Sequence, residues 1–340
     1  MKNYDYKNFM NENLLLEICE RYHLGIPTKE LSRVSGGLIH KMWCLETDKG
    51  KYAIKQLDSA IMEKADMQAR FELSESTGRK LLNKGIPVVI GLETNNGSVL
   101  KFSDTYVIVY DWVNGTTLST APASSEQAFL IGEIIAKIHK GNLNIPELKS
   151  AIFSFFSDDY WQSLVEEFLN KFPDASSWLL GDNIVSWNAN AEDVIKSLMN
   201  NTVVSHGDID QKNVIWKDTQ HPYIIDWESV GKINPGLELM DAALNWGGLI
   251  SGDVNEESLK ALIDGYRSVG APIVENPSII LRGCMIKWLS WLEFNMKRAI
   301  TVENNSEEKN LGFVQTQNTV RNLKLISDNF DKWLSLYTNL

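Results

Sequence analysis

Residues 203–229 open with Val203-Val204-Ser205-His206-Gly207-Asp208-Ile209-Asp210-Gln211-Lys212-Asn213-Val214 and close on Ile224-Ile225-Asp226-Trp227-Glu228-Ser229. The run predicts a short strand, a polar loop, a second strand and a third strand that ends on a carboxylate. Asp208, Asn213 and Asp226 are separated by five and thirteen positions. Phosphoryl transfer from a nucleotide needs this set: one carboxylate to accept or orient the proton of the attacking hydroxyl, and an amide oxygen and a second carboxylate to hold magnesium on the phosphates. Taken singly, each residue has a plainer reading. Asp208 and Asn213 could close turns, and Asp226, at a strand end, is either a metal ligand or a helix cap.

Outward from this stretch, the two halves of the chain differ. Residues 8–24 are helical in pattern, with Phe9, Leu14, Leu15, Ile18 and Cys19 on one face. Leu31–Cys44, interrupted at Gly36-Gly37, and Lys51–Leu57 read as strands, and residues 60–84 as a helix. Gly85-Ile86-Pro87 ends that helix and opens a predicted strand, Val88–Leu92. Asn95-Asn96-Gly97 is a hairpin signal leading to Val99–Phe102 and Tyr106–Val109. From about residue 123 helical patterns dominate, at 124–140, 158–171, 191–200, 238–248, 256–268, 277–299 and 315–338. The expected class is α+β: a sheet-rich lobe over 1–110, a hinge at 111–115 and a mainly helical lobe over 116–340.

With both halves in view, the run His206–Asn213 followed by Ile225-Asp226-Trp227 resembles the aminoglycoside phosphotransferase/choline kinase superfamily, small-molecule kinases of protein-kinase-like fold. Their catalytic loop reads H-G-D-x-x-x-x-N and their metal motif I-D-[WF]. Many members carry His-Pro-Gly before the Asn, where this chain has Asp210-Gln211-Lys212. The resemblance covers roughly residues 25–300. It implies a bilobal fold, Asp208 as base, and Asn213 and Asp226 as Mg²⁺ ligands. It also implies that Lys55, on the strand Tyr52-Ala53-Ile54-Lys55, meets the α- and β-phosphates of ATP or GTP. Lys55 then needs an acidic partner. Glu75 lies ten residues before Gly85, the family's spacing, and Glu72 is one helical turn away. Ser35, Gly36 and Gly37 would let the backbone approach the triphosphate. The chain has no G-K-[ST], so this is not a Walker loop. Val109–Gly115 resembles the hinge, where the backbone of Asp111 and Val113 would pair with adenine.

Composition narrows the partners. The net charge of −11 is uneven, +1 over residues 1–110 and −12 over 111–340. An acidic second half argues against nucleic acid, which needs basic patches. It suits a cationic small molecule, and it also serves solubility. No window is apolar enough for a membrane span. Met1-Lys2-Asn3-Tyr4-Asp5 lacks an apolar signal region, and Cys19, Cys44 and Cys284 form no CxxC pair. A reducing cytoplasm is expected. For the acceptor, Glu228, Glu238, Asp241 and Asn245 follow the metal motif, and Trp288, Trp291, Glu293 and Asn295 sit on one late helix. Acids beside aromatic faces could grip an amine by charge and cation–π contact, or could equally be solvated groups beside packed rings. Within the resembled family the first expectation is an aminoglycoside-like antibiotic, with choline, homoserine, methylthioribose or a macrolide as alternatives.

Three other readings compete with this one. His206, Asp208 and Asp210 spell H-x-D-x-D, which invites a metal hydrolase, yet the remaining histidines (His23, His40, His139, His221) form no ligand pair. A non-catalytic kinase-like module is disfavoured because Lys55, Asp208, Asn213 and Asp226 are all present. A true protein kinase is disfavoured because Gly207 stands where Arg is usual and no D-F-G or A-P-E follows.

Overall fold

The strand Lys51–Gln56 carries the residues that organise the first half of the molecule. The computed structural model describes residues 12–34, 40–118, 120–150, 155–271, 276–301 and 306–338. By packing, the chain divides into two units, one of residues 1–117 with 212–229, the other of 118–211 with 230–340. Asn213 and Asp226, expected in a second lobe over 116–340, therefore pack with the sheet-rich first unit.

In that unit the helix α1 (Glu12–Arg21) precedes β1 (Ser32–Val34), β2 (Lys41–Glu46) and β3 (Lys51–Gln56). Two helices follow, α2 (Ser59–Met62) and α3 (Met67–Leu82), then β4 (Leu100–Phe102), β5 (Thr105–Asp111) and β6 (Thr116–Thr117). Five strands form one antiparallel sheet in the order β1-β2-β3-β5-β4. Period-two alternation sorts β5: Val107 and Val109 join a cluster with Ile18, Tyr22, Leu45, Ile54 and Phe102, whereas Ile108 joins Leu57, Met62 and Phe71. Both faces of β5 are covered, which is why Val107-Ile108-Val109 is continuously apolar. The same alternation puts Ile54 on one face and Lys55 on the other, towards Phe71 of α3. The strand expected over Val88–Leu92 is absent as a strand. Pro87 and Gly91 interrupt the run, and only isolated bridges form, Val88 with Ile224 and Gly91 with Tyr110. The Asn95-Asn96-Gly97 turn is present, with Thr94 and Gly97 exchanging backbone hydrogen bonds at 3.0 and 3.1 Å.

The second unit opens with α4 (Ser125–Gly141), α5 (Asp158–Lys171), α6 (Gly181–Asn188), α7 (Ala191–Met199) and β7 (Val203–Ser205). The chain returns to the first unit for β8 (Val214–Trp216) and β9 (Pro222–Ile224), which form a three-stranded sheet with β6 in the order β6-β8-β9. It then re-enters the second unit with β10 (Gly231–Ile233), paired antiparallel with β7, and α8 (Pro235–Trp246), α9 (Glu256–Ser268), α10 (Pro277–Thr301), α11 (Ser306–Asp328) and α12 (Phe330–Thr338). Every residue of α8 is buried, as expected of a helix with apolar residues on all sides. Helices α4 and α9 meet backbone to backbone. A Cβ placed at Gly132 would stand 2.0 Å from the carbonyl oxygen of Leu262, and one at Gly265 would stand 2.0 Å from that of Phe129. Only glycine at both positions permits this approach.

Candidate active site

Lys55 is buried in β3 and faces α3. Its ammonium donates to Asp226 Oδ1 at 2.6 Å and to Glu228 Oε2 at 3.0 Å. Burial works against this charge, but the two carboxylates outweigh it and raise the Lys55 pKa. Behind Glu228 stands His40. Its Nδ1 accepts the Asp58 N–H at 3.0 Å, which leaves the proton on Nε2, 3.0 Å from Glu228 Oε2. Burial pushes the Glu228 carboxyl up, but the His40 hydrogen bond and the Lys55 charge prevail and hold it down at about 2.

Asp226 has φ of 63°, left-handed backbone that a non-glycine residue adopts at a cost of roughly 1–3 kcal/mol. The strain follows from its place just beyond β9, where the chain turns sharply into a 3-10 turn over Trp227–Ser229. The Trp227 carbonyl of that turn accepts a 2.7 Å hydrogen bond from Ser74 of α3. Asn213 lies at the same end of this hairpin. The β8–β9 register pairs Val214 with Ile224, and Ile225 N–H donates to Asn213 O at 2.9 Å, so Asn213 stands opposite the neighbour of Asp226. The oxygens of Asp226, Glu228 and Asn213 are hard donors of the kind Mg²⁺ accepts, and Mg²⁺ needs only one or two carboxylates from protein. Among the described residues no group of three or more His, Cys, Asp or Glu is placed to hold a metal, so the donor set of a zinc hydrolase is not found there.

Asp208 belongs to the second unit. Gly207 before it has φ of 84°, which explains why glycine is needed there. Gly207 N–H donates to Glu238 Oε1 at 2.6 Å, and Asp208 N–H donates to His206 Nδ1 at 3.2 Å. Glu238, on α8, is buried against His139 of α4, with Oε2 to Nε2 at 2.7 Å. The other imidazole nitrogen of His139 meets the Tyr266 hydroxyl at 2.9 Å. Burial pushes the Glu238 carboxyl up, yet the His139 contact and the Gly207 amide outweigh it and hold it at about 2. One turn on, Asp241 accepts from Lys287 Nζ at 2.7 Å, and the same ammonium donates to Gly207 O at 3.1 Å.

These positions change several sequence expectations. Glu75 does not hydrogen-bond Lys55: its carboxylate accepts from Gly91 N–H at 2.5 Å and from the Tyr110 hydroxyl at 2.9 Å. Burial raises its pKa against those donors. Glu72, the other expected partner, is bound to the amides of Ser98 and Val99 at 3.1 and 2.7 Å. The charge on Lys55 is met instead by Asp226 and Glu228, so Glu228 belongs with the lysine and not with an acceptor. Glu238 and Asp241, also expected to face the acceptor, are buried and committed to His139, Gly207 and Lys287. Glu293 is engaged by the Tyr160 hydroxyl at 2.5 Å and by Lys297 at 2.7 Å. Asn245 and Asn295 are buried. Trp288 is half-buried, and Trp291 is exposed and stacked on exposed Phe294 with centroids 5.3 Å apart. Asp111 ends β5 and is exposed, with Val113 two residues on in the segment between β5 and β6. Ser35, Gly36 and Gly37 lie outside the described residues.

His40, His139 and Lys287 were not among the expected site residues. His40 falls just past the glycine pair, and its only signal is a polar residue at the head of a strand. Lys287 stands just before Trp288, and its signal in the sequence is one cation among apolar helix positions.

The model of the phosphotransferase enzyme family matches residues 30–271 of this chain. None of the curated proteins matches it by sequence. Solved structures share its fold at low identity. A spectinomycin phosphotransferase in complex with ADP and spectinomycin has a TM-score of 0.68 at 15% identity, covering 94% of this chain and 98% of that one. An aminoglycoside phosphotransferase from Alicyclobacillus acidocaldarius gives 0.64 at 13%, with 98% of each chain covered. An ethanolamine kinase from Plasmodium vivax gives 0.57 at 14%, covering 93% and 92%. The fold is thus that of protein-kinase-like small-molecule phosphotransferases.

Proposed function

The chain belongs to the phosphotransferase enzyme family, and on that premise we propose that it moves the γ-phosphoryl group of ATP or GTP to a hydroxyl of a small, amine-bearing molecule, an aminoglycoside-like compound first. The observation that carries the reading is the buried Lys55, whose ammonium meets the carboxylate of the I-D-W motif at 2.6 Å. A lysine buried in a strand and paired to Asp226 and Glu228 is costly unless its charge is used. Lys55 would neutralise the α- and β-phosphates. Asp226 and Asn213 would hold Mg²⁺, with Glu228 beside them, and the ion when bound supplies charge neutralisation on the phosphates.

Asp208 would accept or orient the proton of the acceptor hydroxyl, so that oxygen attacks phosphorus in line and the nucleoside diphosphate leaves with the bridging electrons. No covalent phospho-enzyme is needed. The backbone of Asp111 and Val113 would pair with adenine, and Ser35, Gly36 and Gly37 would approach the phosphates. An amine on the acceptor is favoured by the net charge of −12 over residues 111–340. The exposed Trp291–Phe294 pair offers aromatic faces for such a cation. A spectinomycin phosphotransferase in complex with spectinomycin shares the fold, which puts that compound among the first to test. A cytoplasmic setting fits a nucleotide donor. No helix among the described residues is long and apolar enough to cross a membrane.

The test is a nucleotide-consumption screen with MgATP and MgGTP against aminoglycosides, spectinomycin, macrolides, choline, ethanolamine, homoserine and methylthioribose. Activity on an aminoglycoside-type compound is expected; activity only on a neutral alcohol would overturn the amine assignment. Asp208→Asn should lower turnover by about 10²–10⁴-fold with nucleotide affinity retained. Full activity in that variant would remove the role given to Asp208.

A further inference from the structure

The backbone around Asp208 is gripped from every side within the second unit. Gly207 N–H is held by Glu238, Asp208 N–H by His206 Nδ1, and Asp208 O by Asp210 N–H at 3.0 Å. The remaining group, Gly207 O, accepts from Lys287 Nζ at 3.1 Å. The peptide between Gly207 and Asp208 is a rigid plane. Lys287 holds its carbonyl edge and His206 its amide edge, so together they fix its rotation, and with it the direction in which the Asp208 side chain leaves the chain.

We propose that Lys287 is a positioning residue for phosphoryl transfer, whose ammonium sets the Gly207–Asp208 peptide plane and so aims the Asp208 carboxylate. The proposal rests on the reading of Asp208 as the group that meets the acceptor hydroxyl. Three observations on α8 and α10 support it. Asp241, the Lys287 partner at 2.7 Å, is itself buried and orients the ammonium. Burial works against the Lys287 charge, but Asp241 first and Asp208 next outweigh it, so the group stays an ammonium with donors to offer. An ammonium has three N–H groups, and two are spent on Asp241 and Gly207. The simpler alternative is that Lys287 merely neutralises Asp241. That role would need no bond to Gly207.

The experiment compares Lys287→Met and Lys287→Arg with wild type by hydrogen–deuterium exchange and by steady-state kinetics with MgATP and the acceptor that the panel returns. In Lys287→Met the peptide spanning 205–211 should exchange about tenfold faster, with β3 and β5 unchanged. The kcat should fall about 10–100-fold with KM for MgATP within about twofold, because misplacement of a reacting group costs rate and not nucleotide binding. Lys287→Arg should recover at least part of both. Should Lys287→Met fail to fold, the double variant Lys287→Met with Asp241→Asn, which leaves no unpaired buried charge, takes its place.

Unchanged exchange at 205–211 would overturn the proposal, as would equal losses in Met and Arg variants spread over all of α8 and α10. If the wild-type protein phosphorylates nothing, the functional reading fails while the exchange result still decides whether Lys287 holds the loop.

Discussion

Glu238→Gln puts the electrostatics of the Asp208 loop to a quantitative test. The carboxyl lies at about 2, against an ordinary 4.5, while buried between His139 and the Gly207 amide. A folded-state pKa below the unfolded one contributes stability that is fully present above the unfolded value and is lost as pH falls through the folded value. The lowering converts to roughly 3 kcal/mol at pH 7, shrinking to roughly 1 kcal/mol at pH 3, where much of the carboxylate benefit has been titrated away. Gln matches Glu in size and keeps an oxygen for Gly207 N–H, so packing changes little. Urea unfolding of both proteins, followed by tryptophan fluorescence at pH 7, 5, 4 and 3, should therefore show a gap that narrows with acid. A gap that is constant across this range, or below about 1 kcal/mol at pH 7, would refute the reasoning.

Further outcomes follow from other parts of the molecule. Asp226→Ala should weaken MgATP affinity at least about tenfold by calorimetry, through loss of a metal ligand and of the Lys55 partner, and equal affinity would count against metal ligation. Asp226→Asn, which tolerates the left-handed φ of 63°, should be closer to wild type in stability than Asp226→Ala, by about 1 kcal/mol in chemical unfolding. Gly265→Ala forces a methyl to within 2.0 Å of the Phe129 carbonyl oxygen and should destabilise the second unit by about 1–3 kcal/mol; an unshifted thermal transition would contradict the close packing of α4 on α9.

The sheet and most helices are legible in the sequence because their signals are local. Short runs rich in aromatic and β-branched residues mark β3 and β5, and Asn95-Asn96-Gly97 marks its turn. What the sequence hid depends on distant contacts. Spacing points to a lysine partner on α3, but Glu75 is drawn to Gly91 and Tyr110, and Lys55 meets carboxylates 171 and 173 positions away. Acids that follow Ile225-Asp226-Trp227 look alike until burial separates them, which is why Glu238 and Asp241 read as acceptor ligands in the sequence. The apolar pattern of α8 starts at residue 238, although Asn234 caps the helix and Pro235 occupies its first turn, a signature visible in the sequence. Helix α6 carries too short a periodic run to stand out, and the break at Asn329 that separates α11 from α12 lies inside a continuous helical pattern.

The first unit is interrupted in the chain. Between Thr117 and Lys212 lie the 94 residues 118–211, all belonging to the other unit. On a ribosome making about 5–20 residues per second, the leading segment waits roughly 5–20 s for its remaining pieces. Through that interval the edge of β6 lacks β8, Val89 N–H lacks Ile224 O, and Ser74 lacks the Trp227 carbonyl. Lys55 meanwhile has neither Asp226 nor Glu228. The first unit therefore matures late despite being translated early, and the newborn chain presents an open strand edge to any chaperone that reads one.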